Sequence, residues 1–98
     1  MQTQFVVYVS IKNDPVDIYH RKDVLIISAI SAEDARDQVR SESLSIIKEK
    51  CVGRDYSPNI HLEIVAKALS SAFSMRADSD RLDSGSVGLF EVLDPENL

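Results

Sequence analysis

The chain has 98 residues, 44% apolar and 28% charged, the proportions of a folded domain rather than of a disordered or membrane-embedded one. A chain of this length buries only about 60–70% of its unfolded surface, which supports one core and excludes two domains or a large internal cavity. The net charge of −5 sits at one end: ten acidic and ten basic residues among positions 1–76 cancel, while Asp78, Asp80, Asp83, Glu91, Asp94 and Glu96 stand against Arg81 alone. An acidic end repels a phosphate backbone and attracts a basic protein surface, so the charge argues against direct nucleic-acid binding.

No apolar run reaches the roughly 18–20 residues of a membrane span, and MQTQFVVYVS lacks the basic flank and cleavage site of a signal peptide. The expected location is cytoplasmic, with no membrane partner. Cys51 is the single cysteine, so neither a disulfide framework nor a thiolate cluster is available within the chain. Its place on a helix face predicts a buried structural thiol, with a reactive thiol as the alternative that would need a base nearby.

In chain order, Gln4 to Lys12 alternates with Phe5, Val7, Val9 and Ile11 on one parity, a period of two that predicts a strand with one core face and one partly wet face. Asn13-Asp14-Pro15 is a turn signal, because Asx side chains bond back to the backbone and proline presets φ. The connection from Asn13 to Asp23 then holds Tyr19, His20, Arg21 and Lys22 together as an exposed loop. Val24 to Ile30 is a second strand, apolar on both parities, which calls for cover on both faces or a central place in the sheet.

Ser31 stands where that run stops, with Asp34 three residues on. The hydroxyl can accept from the first free amides of a helix while the carboxylate reaches back toward the cap. The helix spans Ala32 to Cys51, with a stripe at Ala35, Val39, Ile46 and Ile47, Leu44 and Cys51 flanking, and Ser43 interrupting. Glu33 and Asp34 suit its positive end, Lys48, Lys50 and Arg54 its negative end, and Gly53 supplies the stop.

From Pro58 to Arg76 two periodicities compete. Ile60, Leu62 and Ile64 alternate as in a strand, whereas Leu62, Val65, Ala66, Leu69, Ala72 and Phe73 form a helical stripe behind Ser57-Pro58, a cap and first-turn proline. The longer window favours a second helix; the alternative is a strand over residues 60–66. Residues 76–86 are polar and read as a loop, and Val87 to Leu93 is the last strand, ended by Asp94-Pro95.

Motifs that carry chemistry are missing. His20 and His61 have no metal-ligand spacing, no G-x-S-x-G turn marks a nucleophile, and Gly53, Gly85 and Gly88 build no phosphate-cradling loop. Asp78-Ser79-Asp80-Arg81-Leu82-Asp83-Ser84-Gly85 resembles a calcium loop but puts Leu82 where the third ligand belongs and Leu89 where the bidentate glutamate belongs. No cofactor, metal or catalytic residue is expected.

FVVYVSIK followed by VLIISAISAEDAR resembles the strand, strand and capped-helix leader of many small accessory proteins of phages and mobile elements, over about the first half of the chain. The resemblance implies a non-enzymatic protein that works by binding, such as an anti-CRISPR-like or anti-restriction-like inhibitor of a host or defence complex, and carries over no catalytic residues.

The expectation is therefore a single α+β domain over residues 1–98, with an acidic segment at 77–98 and element order ββααβ. A three-stranded sheet (4–12, 24–30, 87–93) packs on one or two helices, or, with 60–66 as a strand, the order is ββαββ. The partner would be another protein with a basic surface, met by Asp78, Asp80, Asp83, Glu91 and Asp94, with Tyr19 and His20 as a second contact; a homodimer is compatible with the chain. The runner-up function is a small-molecule-binding or ligand-sensing domain with its pocket at a dimer interface.

Overall fold

Strict alternation makes the first element extended, and the helix signals around Ser31 set where the chain leaves the sheet. The computed structural model describes residues 2–14, 21–51, 59–69 and 86–94. It is an α+β fold with strands β1 (Thr3–Asp14), β2 (Arg21–Ala29), β3 (Asn59–Ala68) and β4 (Val87–Leu93) and one helix, α1 (Ala32–Cys51), between β2 and β3. The four strands form one sheet in the order β2-β1-β3-β4, every neighbouring pair antiparallel. The chain thus makes a β1–β2 hairpin, crosses over through α1, and lays β3 on the other side of β1.

Register follows the apolar alternation. Phe5, Val7, Val9 and Ile11 of β1 stand opposite Ala68, Ala66, Ile64 and Leu62 of β3, and Ile60, Leu62 and Ile64 stand opposite Leu93, Glu91 and Leu89 of β4. These residues share the face that α1 covers; Phe5, Val7, Val9, Ile11, Ile60, Leu62, Ile64 and Ala66 are buried there. A one-residue slip would turn the whole set to the other face, so burial itself pins the pairing.

At the helix entrance the Ser31 hydroxyl accepts from the Asp34 N–H at 3.1 Å, and the Asp34 carboxylate accepts from the Ile30 N–H at 3.2 Å. The carboxylate therefore caps the residue before Ser31 rather than Ser31 itself. Along the buried side of α1 lie Ala35, Val39, Ser43 and Ile47, four residues apart. Ser43 is part of the stripe and does not interrupt it, while Ile46 and Leu44 are only half-buried at its margin.

Four expectations need correction. No second helix occupies residues 59–68; they are strand β3, and Ser57, Pro58 and residues 70–76 lie outside the described residues. The helical stripe arose because β3 is an inner strand buried on both faces toward its end, with Val65, Ala66 and Lys67 all inaccessible, so alternation is lost there. The sheet accordingly has four strands rather than three, in order ββαββ.

The Asn13-Asp14 turn is instead the end of β1, paired with Ile60 and Asn59, because β3 is long enough to hold it in register. Arg21 and Lys22 belong to β2, not to a loop. Finally, β2 is not central: it is an edge strand, and the inner places go to β1 and β3, whose core faces are apolar throughout. The positions of Gly53 and the Cys51 side chain lie outside what is described. Among the described residues, no helix is long and apolar enough to cross a membrane.

The Ser43 hydroxyl is fully buried with no hydrogen-bond partner. Ser43→Ala removes that desolvated group and should stabilise the fold by about 1 kcal/mol, read as a melting-temperature rise of roughly 4–8 °C. Ile47→Ala, from the same buried stripe, should cost about 2–5 kcal/mol in denaturant unfolding.

Candidate functional site

With α1 on one face of the sheet, the even-numbered positions of β1 and their cross-strand partners make up the other. Across it run three rows set by the register: Ile26–Val6–Lys67, Val24–Tyr8–Val65–Gly88, and Lys22–Ser10–Glu63–Phe90. Its middle is closed, since Val6, Val65 and Lys67 are buried. Its two flanks are open. Val24 (55%) and Ile26 (53%) on β2, and Phe90 (64%) and Val92 (54%) on β4, remain over half exposed. The Phe90 ring has only a tilted contact with His61, centroids 6.2 Å apart. Large apolar side chains aligned on one sheet face mark contact surfaces more often than isolated ones do.

Between the β2 flank and β3 lies an open groove of about 580 Å³ lined by Tyr8, Val9, Ser10, Lys12, Lys22, Asp23, Val24 and Glu63. Pairing of Ser10 with both Lys22 and Glu63 places a cation and a carboxylate on either side of its hydroxyl. Lys12 and Lys22 are exposed, and neither ammonium is in an ion pair with a described residue.

The predicted acidic contact residues fare differently. Glu91 lies in the covered-face row Arg21–Ile11–Leu62–Glu91 and is held by α1. Its carboxylate takes two hydrogen bonds from Arg40, one from Nε to Oε1 and one from Nη2 to Oε2 at 3.1 Å. At the other end of the row Arg21 lies 3.3 Å from Asp23 and 4.0 Å from Glu42 of α1. The helix is thus tied by opposite charges to both edges of the sheet, across a row whose centre is apolar. Asp94 is exposed just past β4. Asp78, Asp80, Asp83, Tyr19 and His20 lie outside the described residues.

Val24, Ile26, Phe90 and Val92 were not singled out from sequence as a surface. The signal was present in the apolarity of both parities of Val24 to Ile30, and in Phe90 and Val92 sharing a parity in the last strand. Among the described residues no group of three or more His, Cys, Asp or Glu side chains could hold a metal ion. A scan against family models finds no match for the chain, and neither curated proteins nor solved structures yield a significant match.

Arg40 holds the Glu91 carboxyl below the usual carboxylate range, chiefly through its hydrogen bonds and then through its charge, against the opposing effect of burial. A carboxyl whose folded value is depressed stabilises the fold above its unfolded value, and that contribution is lost as pH falls through the lower folded value. Wild type and Glu91→Gln should therefore differ in urea midpoint at neutral pH, wild type being more stable, and the difference should shrink progressively below about pH 4.

Proposed function

We propose that this is a non-enzymatic binding protein that acts through contact with another protein, using the exposed apolar flanks of the sheet face opposite α1. The observation that carries the reading is the alignment of Val24, Ile26, Phe90 and Val92, all over half exposed, on that one face. Burying side chains of this kind is worth roughly 1.5–3 kcal/mol each, enough in combination for specific association. The partner that fits is a protein with an apolar patch and basic groups, because the excess negative charge of this chain lies at its C-terminal end, which holds Asp78, Asp80, Asp83 and Asp94. Tyr19 and His20 are a second candidate contact. An inhibitor of a host or defence complex, of the phage accessory kind, is the form of binding protein this reading favours.

The test compares the immobilised wild-type chain with Phe90→Lys/Val92→Lys and with Asp78→Lys/Asp80→Lys/Asp83→Lys, each challenged with lysate from the source cells and read by quantitative mass spectrometry. At least one protein should be retained by wild type and reduced roughly tenfold on the first variant, a loss of about 1.4 kcal/mol. A similar reduction on the second variant assigns those acidic residues to the contact. A bound set unchanged by either variant overturns the reading.

The groove at Lys12 and Lys22 favours a second reading, a small-molecule-binding domain. Its volume of about 580 Å³ is that of a ligand pocket. Two ammonium groups beside Tyr8 and Val24 suit a carboxylate or phosphate attached to an apolar body. In a thermal-shift screen of anionic metabolites, a ligand of this class should raise the melting temperature of wild type and leave Lys12→Ala/Lys22→Ala unshifted. A screen in which no anionic compound moves wild type counts against it.

A further inference from the structure

Three side-chain hydrogen bonds determine which backbone groups of the edge strand β2 face outward. The Val24 N–H donates to Oδ1 of Asp23 at 2.9 Å, the Ser28 carbonyl accepts from Nε2 of Gln38 at 3.5 Å, and the Ile30 N–H donates to Oδ2 of Asp34. In an antiparallel strand the N–H and C=O of one residue point to the same side, and successive residues alternate. Val24, Ile26 and Ser28 therefore all face away from β1. Between Val24 and Ser28, side chains close part of that outer edge and leave the Val24 C=O, the Ile26 N–H and C=O, and the Ser28 N–H; Lys22, of the same parity, faces outward beyond them.

What remains is self-complementary. We propose that β2 pairs antiparallel with β2 of a second copy of this chain, about a two-fold axis at Ile26 perpendicular to the sheet, joining two four-stranded sheets into one of eight strands. In this register Ile26 and its copy exchange both N–H···O=C bonds, and each Ser28 N–H reaches the Val24 carbonyl of the other chain. The Val24 N–H and the Ser28 carbonyl, which would otherwise complete that pair, are already bonded within their own chains. Sliding the register by two residues in either direction puts one of those occupied groups opposite Ile26.

Side chains agree with the backbone. On the face opposite α1 Ile26 meets Ile26, and on the α1 face Leu25 meets Ile27, while Lys22 and Asp23 fall at the ends of the paired region. A run apolar on both parities belongs inside a sheet, and pairing moves β2 from the edge to the interior. Edge strands are ordinarily blunted along their whole length by charge, proline or cover; here the middle of the strand is left open.

Sedimentation of the full chain over roughly micromolar to hundred-micromolar concentrations tests the proposal. The expected mass is twice 10.9 kDa, with Ile26→Lys reduced to the monomer and Phe90→Lys/Val92→Lys still dimeric. That last arm separates this contact from the β4 flank of the proposed protein-binding surface. Register is read from nitroxide labels on Lys22→Cys in a Cys51→Ser background. Lys22 and its copy are offset by eight residues in the proposed pairing, so pulsed electron resonance should report a backbone separation of about 27 Å, and a slip of two residues changes it by about 7 Å. A monomer at every concentration, a dimer unaffected by Ile26→Lys, or a separation that fits another register overturns the proposal.

Discussion

Stability of this fold rests on one buried plane: the odd-numbered side chains of β1 laid beside Ile60, Leu62, Ile64 and Ala66 of β3, beneath Ala35, Val39 and Ile47 of α1. Because these two inner strands each offer an uninterrupted apolar row, they take the centre of the sheet and send β2 and β4 to its edges. The helix must then lie across that centre, and its polar flanks come within reach of both edges. Arg40 meets Glu91 on β4 and Glu42 approaches Arg21 on β2, two contacts of opposite polarity on either side of the same stripe. Both pairs are partly exposed, so they add modestly to an orientation that the direct connection from β2 to α1 already sets.

The same plane decides what is left for binding. One face of the sheet is covered by α1, and the other keeps exposed apolar side chains along its flanks, with a groove beside the β2 flank that bears two lysines not ion-paired to any described residue. The long central strands hold those two flanks in a fixed relation to each other.

Much of this was legible from residues. The helix bounds, the last strand and the core parity of β1 follow from capping chemistry and period two, and these are local properties. Three features were hidden because they depend on neighbours. β3 loses its alternation where its second face is also buried, so Val65 and Ala66 mimic a helical stripe. The edge position of β2 contradicts its composition, since rank in a sheet is set by competition with β1 and β3. Glu91 looked like a free member of the acidic end, yet it sits in the covered row because its register partner is Leu62, and nothing local to Val87–Leu93 reveals that Arg40 waits above it. Of the contact surface, the sequence held the residues but not the fact that two strands on opposite edges would display them on a common face.

Placing the first strand in the middle of the sheet has a consequence for the order in which the molecule is made. During synthesis β1 acquires β2 early, through a short connection, but its other long side stays unsatisfied until residues 59–68 have emerged. A two-stranded hairpin is marginal in water by itself, so the nascent chain carries an exposed apolar row through the whole time α1 is being added. The helix is therefore more than a lid on the finished sheet. Among the described elements it is the one that can shelter Phe5, Val7, Val9 and Ile11 before β3 arrives, and the Ser31 cap favours early formation of its first turn.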